Sequence, residues 1–153
     1  MNIIKSITTT DDVTLISLQD SPSDASLITS IFQKIADSGI DVDMISQTPP
    51  KSNLSDLSFT VSDEDLKKIL DVISSLREVH PELKISCRSG NCKISVFGEA
   101  MRGCPGVALR VFSAVNKANA DINMITTSEV DISILVAKHD ATNVVDCILK
   151  EFE

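Results

Sequence analysis

The sequence predicts an α+β fold made of two βαββαβ units, with the first copy inserted within the second. Three features point there. A shift of 80 positions lays Asp41-Val42-Asp43-Met44-Ile45-Ser46 over Asp121-Ile122-Asn123-Met124-Ile125-Thr126. The same shift superposes Ile31-Phe32 on Val111-Phe112 and Ile35 on Val115, so the repeat runs through the preceding helix as well. Finally, the second copy ends in a helix with no closing strand, while an apolar segment, Asn2 to Thr8, stands before the first copy with no partner in it. A chain of 153 residues has room for two such units of about 70 residues each.

In copy one, Val13 to Leu18 is a β-rich run that ends at the break Gln19-Asp20-Ser21-Pro22-Ser23. Leu27, Ile28, Ile31, Phe32 and Ile35 then recur at helical spacing, with Ser23 or Asp24 available as the cap and Gly39 as the stop. Ile40, Val42 and Met44 alternate with Asp41 and Asp43, which predicts a strand over 40–47 whose apolar side lies under that helix. Thr48 to Asn53 is a loop. Leu57, Phe59 and Val61 form the next strand, Ser62 with Asp65 resembles a capping box, and Leu66, Ile69, Leu70, Ile73 and Leu76 mark a second helix. Leu83 to Cys87 closes the unit.

Copy two repeats the order: a strand over Lys93 to Phe97, a helix over Pro105 to Ala118, strands over Asp121 to Thr126 and Val130 to Val136, and a helix carrying Val144, Val145, Ile148 and Phe152. Its missing strand is assigned to Asn2 to Thr8. The expected division is therefore 9–89 for the first domain and 1–8 plus 90–153 for the second.

Charge and composition narrow the function. A net charge of −8 and a pI of about 4.7 repel phosphate backbones and anionic lipid, so neither nucleic acid nor a membrane surface is expected as a partner. Aromatic residues are 3% and all Phe, which leaves no stacking platform for single strands. No apolar run approaches the roughly 18 residues of a membrane helix, and the N-terminal MNIIKSITTT has no signal-peptide core. Four cysteines without a CxxC pair fit a reduced, cytoplasmic protein.

The split βαβ, ferredoxin-like order hosts many functions, so the residues must choose among them. An RNA-binding module needs strand aromatics and a basic face, and this chain has neither. Catalytic candidates are thin. His80 and His139 read as solvent-facing loop residues, and Cys87 and Cys92, around the hairpin-like Arg88-Ser89-Gly90-Asn91, make only a metal half-site. Asp41 and Asp43 read equally well as a polar strand face. No metal or cofactor is expected.

A small-molecule sensor fits better. Asp20 to Ala25 is a strand-to-helix turn whose first amides are unpaired and seat a carboxylate, while Asp20 and the carbonyls of the strand Ile40 to Gln47 suit an ammonium. The same Asp20 also reads as an Asx residue that only shapes the turn.

The stretch Gly103-Cys104-Pro105-Gly106-Val107-Ala108-Leu109-Arg110-Val111-Phe112, with Ala120-Asp121-Ile122-Asn123-Met124-Ile125-Thr126-Thr127-Ser128-Glu129-Val130-Asp131-Ile132-Ser133 and the turn Gly98-Glu99-Ala100-Met101, resembles the second ACT domain of aspartate kinases. Copy one, through its IDVDMISQ strand, resembles the first ACT domain. The resemblance implies the interleaved topology and an amino-acid-binding regulatory domain or subunit that senses lysine or threonine. No KFGGTS-like phosphate-binding segment occurs, so the chain is expected to supply no catalytic residues and to act with a kinase catalytic domain or subunit. The resemblance further implies effector contacts at Asp20, Ser23, Ala25, Ile40, Asp41 and Gln47, with Asp121 and Ile122 contributed by a partner in a homodimer. Ser23 stands where a glycine is common. Asp41 and Asp121 replace frequent asparagines and favour an effector with a second ammonium, lysine before threonine. The alternative implied is an ACT interaction module that has lost its ligand.

Overall fold

A computed structural model describes residues 2–153; Met1, which the sequence assigns to the second domain, lies outside the described residues. The chain forms two compact units. The first is Val13–Ser89, and the second joins the residues up to Asp12 with Gly90–Glu153. In chain order the elements are β1 (Ser6–Pro22), α1 (Ala25–Asp37), β2 (Ile45–Gln47), β3 (Leu54–Ser62), α2 (Leu66–Val79), β4 (Lys84–Phe97), α3 (Val107–Lys117), β5 (Met124–Thr127), β6 (Asp131–Ala137) and α4 (Ala141–Phe152).

Within the first unit the strand order is β2-β3-β1-β4, and within the second it is β1-β4-β6-β5, each unit using its own portion of β1 and β4. The pairings of β1 with β3, β2 with β3, β4 with β6 and β5 with β6 are all antiparallel. Ile16 faces Phe59 in the first unit, and Ile94 faces Ile134 in the second.

Several boundaries differ from the sequence-based expectation. The two short strands expected at 2–8 and 13–18 are one strand, because the polar run Thr8 to Asp12 needs only backbone pairing, not apolar side chains, to stay extended. Arg88-Ser89-Gly90-Asn91 is likewise no hairpin; it runs through the middle of β4. The strand expected over 40–47 is assigned only at Ile45–Gln47, since Thr60 complicates the ladder upstream: its Oγ1 accepts the Met44 amide at 3.0 Å while its carbonyl takes the Asp43 amide at 3.1 Å.

The caps also differ. Ser62 Oγ accepts the Glu64 amide at 3.3 Å and so caps a 3-10 turn, Asp63–Asp65, ahead of α2, while Asp65 pairs instead with Lys68 at 3.8 Å. Helix α3 starts two residues later than expected, because Gly106 sits at φ +91, a left-handed conformation that glycine adopts without strain.

Each unit buries its own apolar stripe. In the first, Leu27, Ile31 and Ile35 of α1 and Ile69, Val72, Ile73 and Leu76 of α2 cover Ile16, Leu18, Leu57, Phe59 and Val61. In the second, Val111, Ala114 and Val115 of α3 and Val144 and Ile148 of α4 cover Cys92, Ile94, Val96, Ile132, Ile134 and Val136. Within the second unit the N-terminal residues pack closely on the end of β4: Lys5 donates its amide to the Phe97 carbonyl at 2.8 Å, and a Cβ on Gly98 would lie 2.0 Å from the Ile3 carbonyl oxygen. Only glycine admits that approach. No helix among the described residues is long and apolar enough to cross a membrane.

Candidate functional site

The turn between β1 and α1 carries three of the eight residues singled out above, Asp20, Ser23 and Ala25. A register shift in β1 between Leu18 and Ser21 places Asp20 at φ +50, and the exposed backbone there is held by Asp56, whose Oδ1 accepts the Asp20 amide at 3.0 Å. The Asp20 carboxylate turns to Lys84 on β4, with Nζ 3.6 Å from Oδ2. Asp20 is therefore not a bare carboxylate. Both side chains remain about two-thirds exposed, so the pair is weak and open to exchange with another cation.

Ser23 donates both its amide and its hydroxyl to the Asn53 carbonyl, at 3.0 and 3.1 Å, and so latches the β2–β3 loop onto the turn. Ser52 and Asn53, at φ +53 and +62, shape that loop for the latch. The cap is Asp24, not Ser23: its Oδ2 accepts the Leu27 amide at 3.1 Å and the Ser26 hydroxyl. Those two donors, Ser26 first, hold the Asp24 carboxyl below the usual range. Ile28 donates to the Asp24 carbonyl at 3.3 Å. The amides of Ala25 and Ser26 are then the first-turn donors with no intrahelical acceptor, and they are the groups a ligand carboxylate would meet.

The remaining expected residues divide by location. Ile40 is buried in the first-unit core, and its amide donates to Ile35. Asp41 is exposed. Gln47, on β2, donates from Nε2 to Ser55 Oγ at 3.0 Å. Asp121, exposed, and Ile122, packed against the second-unit core, precede β5 and belong to the other unit. The first unit thus carries Asp20, Ser23 and Ala25 at the turn, and Asp41 and Gln47 on a later segment of the same unit.

Sequence reasoning missed Lys84, Asn53 and Asp56. Lys84 is 64 residues from Asp20, and no local pattern links the two; only the outward position of a charged residue on a strand offered a signal. Cys87 is exposed and in the first unit, whereas Cys92 is fully buried in the second, where burial and then Asp11 push its thiol up to about 11. No cluster of three or more His, Cys, Asp or Glu side chains suited to a metal occurs among the described residues. His80 and His139 sit at the surface beside Glu82 and Asp140.

Residues 94–152 match the family model of the ACT domain. Across 99% of its length the chain is 29% identical to aspartokinase 2 of Bacillus subtilis, and across 88% it is 33% identical to an aspartokinase of Geobacillus stearothermophilus. It spans about a third of the length of these relatives, 37% and 32%. The fold is similar to that of the regulatory subunit of aspartate kinase from Thermus thermophilus in its ligand-free form, with a TM-score of 0.85, 27% identity and 99% of each chain covered.

Proposed function

From the premise that this chain has the sequence and fold of a regulatory ACT region of aspartate kinase, we propose that it senses a free amino acid, lysine first and threonine second, and passes that state to a kinase catalytic domain or subunit. The observation that carries this is the match over 99% of both chains with a protein that is itself a regulatory subunit. In this reading the effector's carboxylate meets the amides of Ala25 and Ser26, and its α-ammonium displaces Lys84 from Asp20. The exposed carboxylates of Asp41 and Asp121 favour a second ammonium. The chain acts as a homodimer in which Asp121 and Ile122 of one copy complete the site of the other.

A ligand that bridges two copies favours one arrangement of them, and a catalytic portion coupled to that arrangement responds. The test is ATP-dependent phosphorylation of aspartate by a catalytic portion mixed with this chain, titrated with lysine and with threonine. Inhibition that requires both chain and amino acid supports the proposal; a rate that ignores both overturns it. Light scattering at micromolar concentration should give a particle larger than the 16.5 kDa chain.

A second reading, an interaction module without a ligand, draws on a specific observation: Lys84, Asn53 and the Asp24 cap already engage Asp20, Ser23 and the start of α1. Calorimetry with lysine, threonine and methionine at millimolar concentration separates the two, since heat with none of them favours the module.

A further inference from the structure

In the second unit the first part of β1 is an outer strand: β4 lies along one of its sides, and among the described residues no strand pairs with the other. A free edge is ordinarily blunted by charge or proline. Ser6-Ile7-Thr8-Thr9-Thr10 has neither, and its β-branched residues favour pairing. The first unit treats the matching edge, the first part of β4, differently. That strand carries Lys84 and Arg88, and Arg77 of α2 donates from Nη2 to its Ile85 carbonyl at 3.3 Å. Arg77 is the twelfth residue from the start of α2, and the twelfth of α4 is Phe152, whose ring lies under the Arg110 guanidinium at 4.0 Å. A phenylalanine thus stands where the first unit places the arginine that occupies its edge.

Between that edge and α4 runs a groove. Two cavities follow one another along it, one of about 610 Å³ whose walls include Ile7, Leu149 and Phe152, and one of about 340 Å³ whose walls include Thr9, Asp11, Val145 and Asp146. Ile7, Thr9 and Asp11 alternate along the strand and so share a face, while Val145, Leu149 and Phe152 recur at helical spacing beside the buried Val144 and Ile148. Leu149 is 50% exposed. At the other end Asp11 and Asp146 face a single cation, Lys138, which is drawn to Asp12 at 3.3 Å. We propose that this groove receives an extended segment of another protein, which adds a strand to the free edge of β1. Its alternate apolar side chains lie against Ile7, Leu149 and Phe152, and a lysine or arginine meets Asp11 and Asp146. In such a complex main-chain pairing supplies the affinity and the alternate side chains the specificity. Antiparallel pairing is the more stable, so the segment runs from Asp11 towards Lys5 and its basic residue leads. None of these residues lies in the turn between β1 and α1, and the proposal stands apart from the sensor reading.

Fluorescence anisotropy on the full chain tests it, with the labelled peptide acetyl-Lys-Thr-Val-Thr-Leu-Thr-Val-amide as the probe. The peptide should bind with a Kd of about 100 µM or tighter. Of two versions N-methylated at alternate nitrogens, one should lose binding and the other keep it, because only one set of donors faces the edge. Leu149→Glu should weaken binding by roughly tenfold, since it sets a charge in the apolar part of the groove. Asp146→Lys should weaken the probe and strengthen a peptide with glutamate in place of its lysine, a reversal that a merely structural role would not produce. Nuclear magnetic resonance locates the peptide: amide shifts should move at Ile7, Thr9 and Asp11. Shifts confined to β2 or β5, no binding at about 1 mM, or indifference to N-methylation and to Leu149→Glu overturn the proposal. So does binding that weakens as the chain is concentrated, which would mean that a second copy covers the edge. Both substituted side chains are exposed, and unchanged melting of the variants verifies that folding is intact.

Discussion

The two repeats share a plan and differ where it counts for binding. Ile45 faces Phe59 in the first unit, and its repeat partner Ile125 faces Ile134 in the second, so the β2–β3 hairpin is five residues longer than the β5–β6 hairpin. The longer loop supplies Asn53, whose carbonyl latches Ser23; the shorter one meets its own turn through the Val130 carbonyl on the Gly98 amide and through Glu129, paired with Arg102. Four residues past Ile16 stands Asp20, in a bulge with positive φ, and four past Ile94 stands Gly98, extended at φ −171.

That single difference propagates. In the first unit the bulge draws the Asp56 carboxylate onto the Asp20 amide. In the second, Gly98 donates its amide to the Val130 carbonyl at 2.9 Å, and Asp131, which stands where Asp56 does, accepts the hydroxyls of Ser95 and Ser133 instead. A duplicated fold therefore keeps its cores in register while its turns diverge, because core positions are constrained from all sides and turn positions only by their own backbone.

The largest expected effect contrasts the cores. Phe59 is 2% exposed and its ring lies 5.5 Å from that of Phe32, whereas Ile134 holds the corresponding place in the second unit. Phe59→Ala should cost about 4 kcal/mol in urea unfolding and Ile134→Ala about 3. A cost below about 1 kcal/mol for Phe59→Ala would show that the two cores are not built alike.

Next comes the close approach at Gly98. Gly98→Ala drives a Cβ onto the backbone of Ile3 and should lose about 3 kcal/mol, while Asp20→Gly, at the matching place with positive φ, should change stability by less than about 1. Equal effects would mean that the N-terminal residues do not hold Gly98 in solution.

Acid sharpens the comparison further. Asp24 in the first unit is held low by Ser26 and Leu27, and Glu151 in the second is held low chiefly by its hydrogen bond with Lys117. A carboxyl whose folded pKa is depressed stabilises above its unfolded value, so both contributions are complete near neutrality and fade as pH falls below about 4. Asp24→Asn keeps a capping side chain and should leave the melting temperature at pH 7 nearly unchanged, while flattening its fall in acid. An unchanged acid profile would deny Asp24 this role.

The smallest effect belongs to Lys84. Lys84→Gln removes an exposed pair and should shift stability by about 0.5 kcal/mol or less. If Lys84 competes with an effector at Asp20, the same variant binds lysine more tightly, and equal affinity in wild type and variant removes Lys84 from the site.

Sequence alone was sufficient for the helices and their faces. The stripe Leu27, Ile31, Ile35 and its repeat Val107, Val111, Val115 lie within one element each, so their periodicity is local and survives any tertiary context. The repeat between Asp41 and Asp121 was equally visible, because duplication writes itself directly into residue identity. Strand extents were less legible: Thr8 to Asp12 and Arg88 to Asn91 have no apolar alternation, and their extended form depends on backbone partners elsewhere in the chain.

What surrounds Asp20 and Ser23 was decided only by the tertiary structure. Lys84, Asp56 and Asn53 reach the turn because sheet register brings segments 30 to 64 residues apart into contact, to within hydrogen-bond distance for Asp56 and Asn53. A register is a property of two strands together, and no pattern within either strand specifies which polar side chain will stand opposite the other.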